Sequence, residues 1–193
     1  MSIQLVTGAF DITPRPKDRW RSSAVWHHVE QVAREVSRFY GFSEIRTPIF
    51  ERVELFLRSV GEVTDIVSKE MYVFEDRGGR TLALRPEGTA SVLRSLVSEQ
   101  AFSPLLSQRY FYIGPMFRYD RPQAGRFRQF HQYGVEVFGV DAPEQDAEVI
   151  AMLLDFFQRL GLKNLTLHIN SLGSEQSRAA FREGLLNYLR PFK

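Results

Sequence analysis

Residues 110–139 read YFYIGPMFRYDRPQAGRFRQFHQYGVEVFG, and this stretch decides how the chain folds. A first arm, 109–119, is rich in aromatics, and a second arm, 129–139, alternates again. Between them, residues 120–128 carry Pro122 and Gly125, the chemistry of a loop. The pattern predicts a long antiparallel hairpin. Successive strand residues face opposite sides, so Met116, Arg118 and Asp120 share one face of the first arm. Phe130, Gln132, Gly134, Glu136 and Phe138 share one face of the second. A face carrying Gln132 and Glu136 is unusual for a core strand. Four positions span roughly 13 Å, enough to line a pocket for two small substrates side by side.

The loop and its flanks hold five arginines (109, 118, 121, 126 and 128) against one acid, Asp120. Guanidinium forks are planar, permanently charged and bidentate, which suits phosphate oxygens. A solvated hairpin with arginines for solubility is the plainer alternative. Arg118 argues against it, because it stands within an aromatic strand.

Composition narrows the classes. The 193 residues make one large domain or one and a half, and 44% hydrophobic residues allow a sizeable core. A net charge of +2 does not by itself argue for nucleic-acid binding, since the basic character is local to the hairpin. The absence of cysteine excludes a disulfide scaffold and thiolate zinc sites. His27, His28, His131 and His168 lack metal-ligand spacing, so no metal site is expected. No apolar run approaches signal-peptide or membrane-spanning character, so a soluble cytoplasmic protein is the default expectation.

Working outward, residues 1–16 read as irregular. A helix is predicted over 17–40, with Val25, Val29, Val32, Val36 and Phe39 on one face and Gly41 as its C-terminal cap. In residues 42–51, FSEIRTPIFE, a short strand starts at Ile45 and Pro48 marks an edge or boundary. A helix over 53–60 leads to Gly61. Strands over 71–74 and 81–84 are joined by a turn at 75–79. In RPEGTA, residues 85–90, Thr89 is the expected cap of a helix running through 93–97. Glu87 precedes that helix in a loop held by Pro86 and Gly88. It is placed either to receive a substrate ammonium or to complement the helix dipole. After the hairpin come an amphipathic helix over 143–160 with Gly161 as its stop, a strand over 165–169, and a last helix over 174–189 capped by Ser174. Residues 1–170 are expected to form the core, and 171–193 a helix leading onward past a hinge at 170–173.

Three of these stretches together resemble the catalytic core of class II aminoacyl-tRNA synthetases, in the histidine-specific branch. Residues 42–51 look like motif 1, whose proline, here Pro48, lies at a dimer interface. Residues 110–139 look like motif 2, with Asp120 where the motif usually carries Glu. RPEGTA resembles the amino-acid loop, and Thr7-Gly-Ala-Phe-Asp11 an N-terminal signature. The resemblance implies an α+β fold in a homodimer, an antiparallel sheet of about six strands flanked by helices. It also implies residue roles. Arg118 would bind the ATP α-phosphate and the histidine carboxylate. Arg126 would meet the far phosphates of a bent ATP, Phe130 would stack on adenine, and Asp120 would contact the adenine amino group or a neighbouring arginine. Glu87, Thr89 and Gln132 would hold the histidine ammonium, and Glu136 would accept a hydrogen bond from the imidazole.

The implied activity joins L-histidine, ATP with Mg2+ and tRNA(His). The histidine carboxylate attacks the α-phosphorus, pyrophosphate leaves, and a tRNA hydroxyl takes the histidyl group. Such chemistry needs positioning and positive charge more than a protein nucleophile. The resemblance further implies that the chain is the N-terminal part of a longer enzyme, incomplete in sheet and motifs and inactive alone. Two alternatives stand beside it. One is the regulatory subunit of ATP phosphoribosyltransferase, a non-catalytic paralogue that binds histidine; Arg121, Arg126 and Arg128 beside Arg118 favour the ligase. The other is a generic RNA-binding module, which the near-neutral charge disfavours.

Overall fold

The computed structural model describes residues 3–60, 70–99, 107–121, 123–170 and 173–192. Gly61, Pro122 and positions 171–172 of the expected hinge lie outside the described residues. Two compact units emerge, Met1–Gly161 and Leu162–Lys193.

In the first unit, helix α1 (Ser23–Phe39) follows a short 3-10 turn, Arg19–Arg21. The helix therefore starts six residues later than the pattern predicts. Its C-terminus ends as expected: Gly41 has φ of 78°, and the Gly41 and Phe42 amides bond back to Arg38 and Ser37 carbonyls. Val32 and Val36 are buried, but Phe39 is exposed and lies beneath Arg159. Strand β1 (Ser43–Glu44) precedes Ile45 rather than starting there. Pro48 then falls between β1 and β2 (Phe50–Arg52), which belong to different sheets, so it is a boundary residue.

Helix α2 (Val53–Val60), β3 (Val73–Glu75), β4 (Thr81–Leu84) and α3 (Thr89–Ser98) follow, then the hairpin β5 (Gln108–Phe117) and β6 (Gln129–Phe138), and helix α4 (Pro143–Arg159). The fold is α+β. Among the described residues its six strands form two three-stranded sheets, β1-β5-β6 and β2-β4-β3, rather than one. All pairings are antiparallel except β1 with β5.

The hairpin register pairs Tyr110 with Glu136, Tyr112 with Gly134, Gly114 with Gln132 and Met116 with Phe130. Directly opposed residues point to the same side. The polar face of β6 is therefore also the face of Tyr112 and Met116. The other face carries Phe111, Ile113, Tyr133 and Val135. It packs on Val32, Ala33 and Val36 of α1 and on Met152 and Phe156 of α4, which forms the main core. At roughly 1.5–3 kcal/mol per fully buried large apolar side chain, this layer fixes the hairpin's orientation.

The second unit holds α5 (Glu175–Leu189), capped by the Ser174 hydroxyl, which accepts from the Ser177 amide at 3.2 Å. The strand predicted over 165–169 does not form. Leu165, Leu167 and Ile169 are exposed, and no ladder partner stands beside them among the described residues. Alternation prepares a strand, but a neighbouring edge has to make one. No described helix is long and apolar enough to cross a membrane.

Candidate active site

The β5–β6 ladder continues one step past the strands, because the Arg118 amide bonds the Arg128 carbonyl at 2.9 Å. This places the Arg118 side chain on the polar face. Its Nε donates to the Pro86 carbonyl at 3.0 Å, and its guanidinium carbon lies 5.3 Å from the centre of the Phe130 ring. Arg118, Asp120, Arg126, Phe127, Phe130 and His131 line a cavity of about 310 Å³. Asp120 forms an ion pair with Arg126 and accepts the Arg121 amide at 2.6 Å, which shapes the loop around the turn at Gly125. The structure thus gathers the four predicted phosphate- and adenine-binding residues, 118, 120, 126 and 130, around one cavity.

The predicted histidine-binding residues form a second group, with Gln132 and Glu136 on the same face and Glu87 and Thr89 at the start of α3 beside it. Glu136 Oε1 accepts the Thr89 hydroxyl at 2.7 Å, and the Tyr112 hydroxyl stands 3.5 Å away. Burial raises the Glu136 carboxyl above its ordinary value, opposed by the hydrogen bond from Thr89 and reinforced by the charge of Glu87. Tyr112 is pushed up to about 12, first by burial and then by Glu136, so its hydroxyl stays a donor. Gln132 lies between Phe130 and Glu136 on this face. Its Oε1 is buried and has no partner among the described residues, so one acceptor is left over.

Glu87 is tied to the helix. Its two oxygens accept the Thr89 amide at 2.5 Å and the Ala90 amide at 3.0 Å, satisfying two free donors at the start of α3. Thr89 is not the cap: Gly88 holds that position, and the Thr89 hydroxyl turns to Glu136 instead. Glu87, Thr89 and Glu136 therefore form one linked row. Pro48 stands apart from it, exposed, with its carbonyl 3.4 Å from Arg85 Nη1.

Sequence reasoning missed three contributors. Tyr112 is 7% exposed, and its phenol end fits between Gly88 and Gly134 so closely that a Cβ on either glycine would overlap the ring. Arg85 is likewise buried, over Gly114. Glycines inside strands are a signal of close approach, and Gly114 and Gly134 carried it. His131, whose pKa burial lowers from the ordinary histidine value, packs edge to face on Trp26 at 4.7 Å. The N-terminal signature docks here too. The Gly8 carbonyl accepts the Arg128 amide at 2.7 Å, and Phe10 packs on Phe127 at 4.8 Å.

A family model described as Histidyl-tRNA synthetase matches residues 17–175, more than half of the chain. The chain belongs to the histidyl-tRNA synthetase family. The histidine–tRNA ligase of Moorella thermoacetica is 58% identical over 184 residues, covering 95% of this chain and 42% of that protein. That of Protochlamydia amoebophila is 54% identical over 192 residues, covering 99% and 45%. Among solved structures, apo histidyl-tRNA synthetase of S. aureus superposes with a TM-score of 0.75 at 40% identity, covering 99% of this chain and 43% of that one. A Bacillus halodurans protein described as an ATP phosphoribosyltransferase regulatory subunit/histidyl-tRNA synthetase gives 0.68 at 26% identity, covering 85% and 40%. The α+β fold is thus that of a class II synthetase core in part, and this histidyl-tRNA synthetase family member spans under half the length of the relatives it matches.

Proposed function

We propose that this chain carries the adenylate-forming half-site of a histidine–tRNA ligase. The observation that supports it most is the cavity shared by Arg118, Asp120, Arg126 and Phe130, on the hairpin face that also carries Gln132 and Glu136. In this reading Phe130 stacks on adenine, and Asp120, through its ion pair, sets Arg126 on the far phosphates. Arg118 faces the α-phosphate and the histidine carboxylate. The carboxylate oxygen bonds to the α-phosphorus while the bridging oxygen leaves with its electron pair as pyrophosphate. Negative charge grows on the α-phosphoryl oxygens, where a fixed guanidinium stabilises it without reorganising. Mg2+ would arrive on the triphosphate; among the described residues no cluster of three His, Asp or Glu side chains offers it a resident site.

The unpartnered Gln132 oxygen, with Thr89 and Glu87, supplies acceptors for the histidine ammonium. Glu136 faces the imidazole N–H, and an analogue without that donor leaves a buried carboxylate unpaired. A tRNA(His) hydroxyl would then attack the carbonyl of the histidyl-adenylate in a cytoplasmic setting, forming the ester as the acyl–phosphate bond breaks and AMP leaves. A homodimer through the Pro48 segment is supported by its exposed apolar company. Ile49, Phe50 and Phe74 are exposed, and the Phe50 and Phe74 rings meet edge to face at 6.5 Å.

Histidine-dependent ATP–pyrophosphate exchange tests this reading. It is measured on this chain and on a chimera carrying the C-terminal remainder of the Moorella thermoacetica relative. Exchange is expected from the chimera alone, with a loss of about 10²–10³-fold on Arg118→Ala. A folded chimera that binds histidine but exchanges nothing would favour the regulatory-subunit reading.

A further inference from the structure

Arg85 is a buried guanidinium that donates to carbonyl and hydroxyl oxygens. Its Nε donates to the Pro115 carbonyl at 2.9 Å. Its Nη1 reaches the Thr47 carbonyl at 3.0 Å, the Thr47 hydroxyl at 3.2 Å and the Pro48 carbonyl at 3.4 Å. Its Nη2 lies over Gly114, where a Cβ would stand 2.5 Å away. Among the described residues no carboxylate is in direct ion-pair contact with it; the Glu51 carboxylate acts on it through space and is itself paired with Arg94 at 2.7 Å. A buried charge without a contacting counter-ion is costly, so the surrounding oxygens have to hold it. A planar fork with donors at fixed angles can bind carbonyls on two separate segments at once; an ammonium cannot reproduce that geometry.

The backbone around Arg85 serves the same junction. Its amide bonds the Ile49 carbonyl at 2.9 Å, and its carbonyl accepts the Phe117 amide at 3.0 Å. The next carbonyl, that of Pro86, is the acceptor of Arg118 Nε. Pro115, lacking an N–H, sits where β5 has no strand neighbour on that side among the described residues, since β1 ends opposite Phe111. Arg85 fills the place of a missing strand there.

We propose that Arg85 is a positioning residue: by fastening the Thr47–Pro48 segment to Pro115, it fixes the Pro86 carbonyl and so aims the Arg118 guanidinium. The importance of that aim for catalysis rests on the ligase reading above; the coupling of Arg85 to Arg118 does not.

The test reads Arg118 directly. The chain is labelled with 15N at arginine Nε, and the Arg118 Nε–H signal is assigned by its loss in Arg118→Ala. Its exchange with solvent is then compared in the wild type, Arg85→Met, Arg85→Lys and the milder Gly114→Ala. Exchange at Arg118 is expected to accelerate at least about tenfold in all three variants, because the Pro86 acceptor is no longer held. The β6 backbone amides should keep their protection. Unchanged Arg118 exchange in a folded Arg85→Met overturns the proposal; should that variant not fold, Gly114→Ala decides it alone. Magnesium–ATP affinity gives a second readout. Arg85→Met should weaken it about tenfold in the wild type and not at all in an Arg118→Ala background. Equal losses in both backgrounds would show that Arg85 acts by another route. If the wild-type chain binds no ATP, support is lost for the ligase reading, and the exchange measurement still decides the coupling.

Discussion

Replacing Gly134 with alanine should damage the site through Tyr112. The two residues are directly opposed in the hairpin, and the phenol folds across the glycine. A Cβ at 134 would stand 2.3 Å from Tyr112 Cζ and 2.4 Å from its hydroxyl oxygen. Ordinary carbon contacts are roughly 3.5 Å, so the ring has to retreat by about 1 Å. Gly88 blocks the far side, since a Cβ there would also stand 2.3 Å from the ring. The ring therefore cannot slide without leaving its rotamer or moving β5. Overpacking of this kind costs about 1–3 kcal/mol, and the better strand propensity of alanine returns about 0.5–1 kcal/mol. A net loss of about 1–2 kcal/mol is expected. In a Tyr112→Leu background the ring atoms that clash are absent, so the same substitution should be neutral or slightly stabilising. Urea unfolding of the four proteins, followed by Trp20 and Trp26 fluorescence, gives the coupling, expected at about 1–3 kcal/mol. Additivity within about 0.5 kcal/mol would refute the packing argument.

Three further outcomes follow from the same geometry. The folded-state pKa of Glu136 is raised, so the folded protein binds more protons than the unfolded chain from about pH 4.5 up to that raised value. Its contribution to stability is therefore lost as pH rises through that window; Glu136→Gln should flatten this part of a stability–pH profile and be the more stable protein at pH 7, while losing histidine affinity in calorimetry. Arg109 bonds the Tyr40 carbonyl at 3.1 Å and pairs with Glu148 at 2.8 Å, joining β5 to the ends of α1 and α4. Arg109→Ala should lower the unfolding free energy from urea titration by about 1–2 kcal/mol with Arg118 exchange unchanged, whereas a shift at Arg118 would contradict the separation of these two arginines. Phe50→Asp, placed in the exposed apolar cluster beside Pro48, should reduce self-association in sedimentation equilibrium without lowering the unfolding midpoint; an undiminished dimer would move the interface elsewhere.

The hairpin was legible because its information is local. Period-two alternation, a loop with Gly125 and a polar face bearing Gln132 and Glu136 need no knowledge of the rest of the chain. Gly41 and Gly161 likewise announced helix ends by their tolerance of positive φ, at 78° and 81°. The resemblance to motif 2 of class II synthetases brought Arg118, Asp120, Arg126 and Phe130 forward as a set. The start of α1 and the strand over 165–169 were misread for one reason: a periodic pattern states a propensity, and neighbours decide where it is realised.

Tertiary structure alone decided how the chemistry is held. The hold of Glu87 on the first amides of α3 is local and was one of its two readings from sequence, but nothing local shows that the Thr89 hydroxyl turns to Glu136. Nothing local gives Tyr112 its slot between two glycines 46 residues apart in number, or lays Arg85 across Thr47, Pro48 and Pro115. The sequence determines which side chains share a strand face, because the pleat is a property of a few consecutive residues. Which carboxylate is buried, which guanidinium is immobilised and which acceptor is left open depend on segments that meet only when the chain has folded.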